Sequence, residues 1–316
     1  MSSILAEWSS VERIGLVVAA VAVLLALGSA AAWLVRRRGA TAVADLGPRV
    51  RSWWWMCGAV FVALFLGPVA TALLFAFLSF IALREIITLT PTRRGDHHTL
   101  FWCFFVVLPL HYWFLIDGWV GMMLVFIPVW VFLFIALRSA VAGDPQRYME
   151  RVSRIQWGVM LAVYGLSHVP ALHLLDIPGF AGRGGELVLW LLLTVQLSDV
   201  FQYVWGKSLG RHRIIPAITP SKTWEGLVGG VLTAAACGAG LWWLTPFTPW
   251  QAAALALGVA LMGFAGGLVL SAVKRDAGQK DFAVLIPGHG GVLDRVDGLT
   301  FAAPALFHVL RYAYWP

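Results

Sequence analysis

The stretch WWWMCGAVFVALFLGPVATALLFAFLSFIAL, residues 53–83, runs for 31 residues without one Asp, Glu, Lys or Arg. A helix needs roughly 20 predominantly apolar residues to cross the hydrocarbon core of a bilayer, so this run is too long for a single crossing. Gly67-Pro68 divides it. Glycine relieves the turn and proline opens a helix more readily than it continues one, so the stretch reads as parts of two spans, 53–67 and 69–89, joined by a tight turn. Similar runs, broken by Gly, Pro or charge, place further spans near 14–35, 100–116, 119–137, 156–175, 186–206, 226–245, 250–270 and 298–315. Asp117-Gly118 makes a second tight turn.

The whole chain agrees with this reading. Its 316 residues are 60% hydrophobic and 12% charged, with a mean hydropathy of +0.80, whereas soluble domains are about 45–50% apolar and about 25% charged. A water-soluble globular protein is excluded, and no room is left for a separate soluble domain. A transmembrane β-barrel would alternate in polarity over segments of about ten residues, and these runs are continuous. The expected fold class is all-α, a polytopic integral membrane protein with about ten transmembrane helices. The first run is too long for a signal-peptide core, lacks a basic segment before it and ends at Arg36-Arg37-Arg38, so it reads as a retained signal anchor.

Basic residues divide unevenly between the two sides of the predicted spans. Alternate loops carry 20 of the 23 Lys and Arg, around 36–51, 84–94, 138–154, 207–222 and 274–295, while Arg13, Arg183 and Arg311 fall on the other side. One span missed or invented in the middle would scramble this split. The positive-inside rule then puts the basic loops in the cytoplasm and both termini outside, in a cytoplasmic (inner) membrane. The net charge of +7 belongs to this pattern and to anionic headgroups, and gives no reason to expect nucleic acid. Cys57, Cys103 and Cys237 lie in apolar runs without metal-type spacing. Seven of the eight His, His97, His98, His111, His168, His173, His212 and His308, share no spacing and read as structural or interfacial, while Trp53-Trp54-Trp55, Trp242-Trp243 and Trp315 sit at span ends as interfacial anchors. No internal repeat of the transporter kind is visible.

Two basic loops, 207–225 and 271–297, stand apart because they are dense in Gly, Pro, Asp and hydroxyl residues. They hold all four Lys (Lys207, Lys222, Lys274 and Lys280) but only 8 of the 23 cations, in a chain with 19 Arg. Lys is a compact point charge, whereas Arg offers a planar fork, so the bias suggests contacts where a phosphate needs the smaller cation. In the second loop, Asp294 and Asp297 are three residues apart. At the start of the last span that spacing puts both carboxylates on one helical face, able to share a divalent cation. Gly290 and Gly291 would let backbone N–H groups approach an anion, and Lys274, Arg275, Lys280 and Arg295 would balance a polyphosphate. Each Asp taken singly also fits a plain helix cap. Asp199 lies inside an apolar span, where a carboxylate is costly and points to function. Ser221 or Thr223 reads as an N-cap with Glu225 in the first turn, which is also a natural anion site.

These residues resemble the signature of the phosphatidate cytidylyltransferase (CDP-diacylglycerol synthase) family. The signature runs Ser271-x-hydrophobic-Lys274-Arg275, four residues, Lys280-Asp281, then Pro287-x-His289-Gly290-Gly291 and Asp294-Arg295-hydrophobic-Asp297. The region from Asp199 to Gly230, with Gly206-Lys207, Gly210-Arg211-His212 and Pro220-Ser221-Lys222-Thr223-Trp224-Glu225-Gly226, is similar as well. Departures are Val200-Phe201-Gln202, where small residues are frequent, and Phe282-Ala283, where Ser-Gly is common. The resemblance implies transfer of CMP from CTP to phosphatidate, giving CDP-diacylglycerol and pyrophosphate for phospholipid biosynthesis. It also implies magnesium and a monovalent cation such as K+. Asp294, Asp297, Asp281 and Asp199 would be the metal ligands, and Lys274, Lys280, Asp281 and His289 the catalytic groups. Ser221, Lys222, Thr223, Ser271, Arg275, Gly290, Gly291 and Arg295 would bind substrate. Residues 181–316 would form the catalytic region behind about six N-terminal spans in 1–180, among membrane lipids, with a homodimer left open.

Other readings are a CTP-dependent lipid kinase and, from a different class, a proton-coupled transporter using Asp199. A CDP-alcohol phosphatidyltransferase is disfavoured, because its Asp-Gly-x-x-Ala-Arg motif is missing. The charge count itself makes a prediction. Single cysteines at Gly95, Arg147, His212 and Gln279 should be labelled only from the cytoplasm, and those at Ser3 and Ala181 only from outside. Labelling of positions 147 and 279 from opposite sides would overturn the topology.

Overall fold

The computed structural model describes residues 8–37, 46–89, 92–283, 285 and 290–314. His289, Arg38 and Trp315 lie outside the described residues. Among the described residues, seven helices are long and apolar enough to cross a membrane. They are α1 (Ser10–Arg37), α3 (Pro68–Thr88), α4 (Arg94–Ile116), α5 (Val120–Val141), α6 (Tyr148–Leu174), α7 (Gly184–Leu209) and α9 (Pro249–Asp276). Helices α2 (Leu46–Leu66), α8 (Trp224–Gly240) and α11 (Leu299–Tyr314) occupy the other expected segments, but are too short or not apolar enough to count. That measure does not confirm the expected count of about ten. The short helix α10 (Leu293–Val296) precedes α11. An antiparallel hairpin, β1 (Arg213–Ile215) and β2 (Thr219–Thr223), interrupts an otherwise helical fold.

The expected turns use glycine where the backbone requires it: Gly67 has φ +103° and Gly118 φ +77°. Pro68 begins α3 at once. Within α4, α5 and α6 the helix widens to single π turns at Cys103–Val107, Phe126–Val131 and Met160–Gly165. Pro128, inside the second, has no N–H to give to the preceding turn, so the ladder is already broken there.

Helix α6 is the most enclosed span and α1 the least. Trp190, Leu166, Leu172, Leu187 and Phe307 form the fully buried centre where α6, α7 and α11 meet. Polar groups in this interior bond one another, because apolar surroundings offer no water to replace a missing partner. Ser79 Oγ lies 2.8 Å from Tyr112 Oη, His111 Nε2 lies 2.8 Å from Ser167 Oγ, and Trp190 Nε1 donates to Gly238 O at 3.1 Å.

Ion pairs tie the basic loops to one end of the bundle. Arg93 meets Asp144 at 3.0 Å, Arg151 meets Asp144 at 2.9 Å and Asp96 at 3.1 Å, and Arg154 reaches Asp276 at 3.8 Å. Arg275 Nε then donates to Ile218 O in the hairpin at 3.3 Å. At the other end, Glu186 takes up two of the three minority arginines. Arg183 binds it through Nε at 3.0 Å and Nη2 at 2.6 Å, and Arg13 lies at 3.5 Å.

Candidate active site

A cavity of about 480 Å³ opens at the basic end of the bundle, between α7, the hairpin, the start of α8, α9 and the turn 294–297. Helix α7 contributes Asp199, Gln202, Tyr203 and Lys207, and the hairpin contributes Ser221, Lys222 and Thr223. Leu227 and Phe264 give it an apolar wall, and Asp294, Arg295 and Asp297 complete the lining.

Glycines bring these elements together. A Cβ at Gly226 would stand 2.8 Å from Gln202 O of α7, and one at Gly266 would stand 2.6 Å from Asp297 O. Thr223 caps α8, its Oγ1 accepting from Gly226 N at 3.1 Å, as its place in the sequence predicts. Glu225 reaches backwards, accepting from the backbone N–H of Arg211 at 3.1 Å and meeting His212 Nδ1 at 2.6 Å. The His212 hydrogen bond pulls the Glu225 carboxyl down to about 2, so it stays ionised and fixes the base of the hairpin.

Asp297 accepts from Gly298 N at 2.8 Å. Gly267 leaves room for its other oxygen and for Lys222: a Cβ there would stand 3.4 Å from Asp297 Oδ2 and 3.3 Å from Lys222 Nζ. Burial pushes the Asp297 carboxyl up to about 6, and the negative charge of Asp199 adds to that rise, while Lys222 and Lys274 oppose it. Two mutually repelling carboxylates on one cavity make a donor pair for a hard cation, since magnesium is usually held by one or two carboxylates plus substrate phosphates. Arg295 Nε is buried with no hydrogen-bond partner among the described residues. Arg295 also lines the cavity, where a guanidinium can meet a phosphate oxygen.

Other candidates are placed differently. Asp294 lies in α10, with Asp297 immediately after that helix and α11 beginning at Leu299, and both line the cavity. Its oxygens accept from Lys274 Nζ at 2.7 Å, Phe282 N at 3.0 Å and Gly291 N at 2.9 Å. Backbone donors at 291–293 in the glycine-rich turn meet the protein's own carboxylates. Gly291 N goes to Asp294, and Val292 N and Leu293 N go to Glu85 Oε1 and Oε2, each at 2.8 Å. Arg275 spends its guanidinium on Ile218 O and Gln279 O, bracing the hairpin against the second loop. Ser271 donates to Gly267 O at 2.6 Å. Lys280 and Asp281 are exposed, and neither is among the residues lining the cavity.

Sequence reasoning passed over Phe264 and Glu85, and left Gln202 and Tyr203 out of the site. Gln202 and Tyr203 follow Asp199 at helical spacings of three and four, a signal that was present. Lys222 Nζ stands 4.6 Å from the Phe264 ring centre, Lys274 Nζ 5.3 Å from Phe282, and Lys207 Nζ 5.8 Å from Tyr203.

Among the described residues no group of three His, Cys, Asp or Glu side chains is arranged to hold a metal ion by itself. A metal here would therefore need oxygens from a substrate as well as from Asp199 and Asp297.

A model of the cytidylyltransferase family matches residues 47–313. Uncharacterized protein YnbB of Escherichia coli (strain K12) is 40% identical over 268 residues, which is 84% of this chain and 87% of that protein. Phosphatidate cytidylyltransferase of Mycobacterium leprae (strain TN) is 37% identical over 179 residues, 55% of this chain and 54% of its own. The Staphylococcus aureus (strain COL) protein of the same name is 36% identical over 126 residues, 39% of this chain and 48% of its own. The chain thus spans about half the length of these relatives that carry the enzyme's name, and most of YnbB. With the family match running through the spans, the hairpin and the turn at 294–297 alike, the chain belongs to the cytidylyltransferase family and is a nucleotidyltransferase.

Proposed function

We propose that the chain transfers CMP from CTP to phosphatidate, giving CDP-diacylglycerol and pyrophosphate, in a cytoplasmic membrane with the cavity facing the cytoplasm. One observation carries this reading: Asp199, Asp297, Lys222 and Arg295, drawn from three separate parts of the chain, meet on one cavity of about 480 Å³ that also has an apolar wall. That combination suits an amphiphile bearing a phosphate together with a polyphosphate. Residues 181–316 supply the catalytic region.

In this reading an oxygen of the lipid phosphomonoester attacks the α-phosphorus of CTP. The new O–P bond forms as the bond to the β-phosphate oxygen breaks, and pyrophosphate leaves with that electron pair. The attacking phosphate is already anionic, so catalysis is mainly positioning and charge neutralisation. Asp199 and Asp297 would hold magnesium, which would neutralise phosphate charge. Lys222 and Arg295 face the same cavity and hold phosphate oxygens, while Lys207 sits further along α7. Lys274 acts by holding Asp294 in place. Leu227 and Phe264 keep water off the lipid side.

The test is to incubate the purified full chain with α-labelled CTP, magnesium and a panel of lipid phosphates. Label in the lipid supports cytidylyl transfer; label left in CDP means a lipid kinase and overturns the proposal. Asp297→Asn should insert normally yet lose at least about a hundredfold in turnover, the scale of a lost electrostatic contact to the transition state. Near-native turnover at low magnesium would remove Asp297 from the metal site. Lys274→Arg keeps the charge but puts a larger planar group between Asp294 and the Phe282 ring. A shift of about 1 Å in such a site costs about a hundredfold, so its turnover should fall well below that of Arg147→Lys, a swap at an exposed ion pair with Glu150. Equal steady-state rates for the two variants would mean that the lysine bias carries no geometric demand.

A further inference from the structure

Glu85 belongs to α3, far in sequence from the loops that line the cavity, yet its carboxylate is buried against the signature turn. Its two oxygens accept from two consecutive backbone N–H groups, Val292 and Leu293, each at 2.8 Å. Only 3% of the residue is exposed. Gly291 is shaped by this contact, because a Cβ there would stand 2.5 Å from Glu85 Oε2. Asp294 holds the same turn from the other side through Gly291 N and Phe282 N. Three successive amides, 291 to 293, are thus saturated by two carboxylates just before Arg295 and Asp297, both of which line the cavity.

We propose that Glu85 is a positioning residue that sets the place of Arg295 and Asp297 by anchoring the turn that carries them. The proposal rests on the functional reading above. A carboxylate can satisfy both N–H groups, and charge-assisted bonds of this kind are roughly twice as strong as neutral ones. Gln would keep one acceptor but turn its NH2 toward the second N–H, donor against donor. Ala would keep neither bond.

The decisive measurement is manganese binding in the presence of CTP, followed by electron paramagnetic resonance on full-length protein in detergent, with hydrogen exchange of the 290–298 segment alongside. Neither readout requires turnover or a lipid acceptor. Glu85→Gln should fold, weaken manganese affinity at least about tenfold and speed exchange in 290–298, with Glu85→Ala more severe. Gly291→Ala, which presses on the same carboxylate from the loop side, should reproduce the loss. Manganese affinity within about twofold of the parent in folded Glu85→Gln would overturn the proposal. Failure to recover Glu85→Gln as folded protein would also count against it, by making the contact a folding element only. If the parent protein binds no manganese with CTP, the metal reading fails instead. The exchange comparison then decides for Glu85 by itself, unchanged exchange overturning it.

Discussion

A carboxylate closed inside an apolar bundle must be met by donors, since burying an unpaired charge is among the costliest things a fold can do. The site depends on how two such carboxylates are met. Glu85 takes the N–H groups of Val292 and Leu293, and Asp294 takes Gly291 N, Phe282 N and the Lys274 ammonium. These bonds make a rigid shelf out of a glycine-rich segment that has no regular structure of its own beyond one turn of helix. The shelf joins an early span to the end of α9 and to the entry of α11.

Close helix packing supplies the opposite wall. Small residues at helix contacts let backbones approach in membrane bundles. Here Gly226 and Gly230 receive Gln202 of α7, and Gly266 and Gly267 receive Asp297 and Lys222. Charges elsewhere are disposed of locally: Glu186 with Arg183 and Arg13 at one end, and Asp96 and Asp144 with Arg151 at the other.

Much of this was legible in the sequence, and the exceptions have physical reasons. The helical bundle followed from long uncharged runs, and the two turns from Gly67-Pro68 and Asp117-Gly118. Asp199 stood out as a carboxylate inside an apolar span, Lys222 through the lysine bias, Asp297 through its spacing from Asp294, and Arg295 as a cation of the glycine-rich loop, and all four line the cavity. Glu85 was not found. Beside Arg84 at the end of an apolar run it looks like an interfacial charge, and its partners lie 207 and 208 residues away. Arg275 was assigned to phosphate because composition does not tell which way a side chain turns, and the hairpin carbonyl that holds it comes from another loop. The turn glycines read as an anion nest, which in chemical type they are, but the anion is the protein's own.

Three of the four lysines rest near the face of an aromatic ring, at 4.6 to 5.8 Å. A ring face attracts an ammonium by about 0.5–2 kcal/mol, depending on how far it is desolvated, and it uses none of the three N–H donors in a fixed direction. Such a partner is a resting place that is easily left. Between turnovers Lys222 need not collapse onto Asp297 to escape bare burial, and when a polyanion arrives it can swivel toward the new oxygen without first breaking a strong bond. In the proposed reaction this would let Lys222 follow a phosphate oxygen from binding to release.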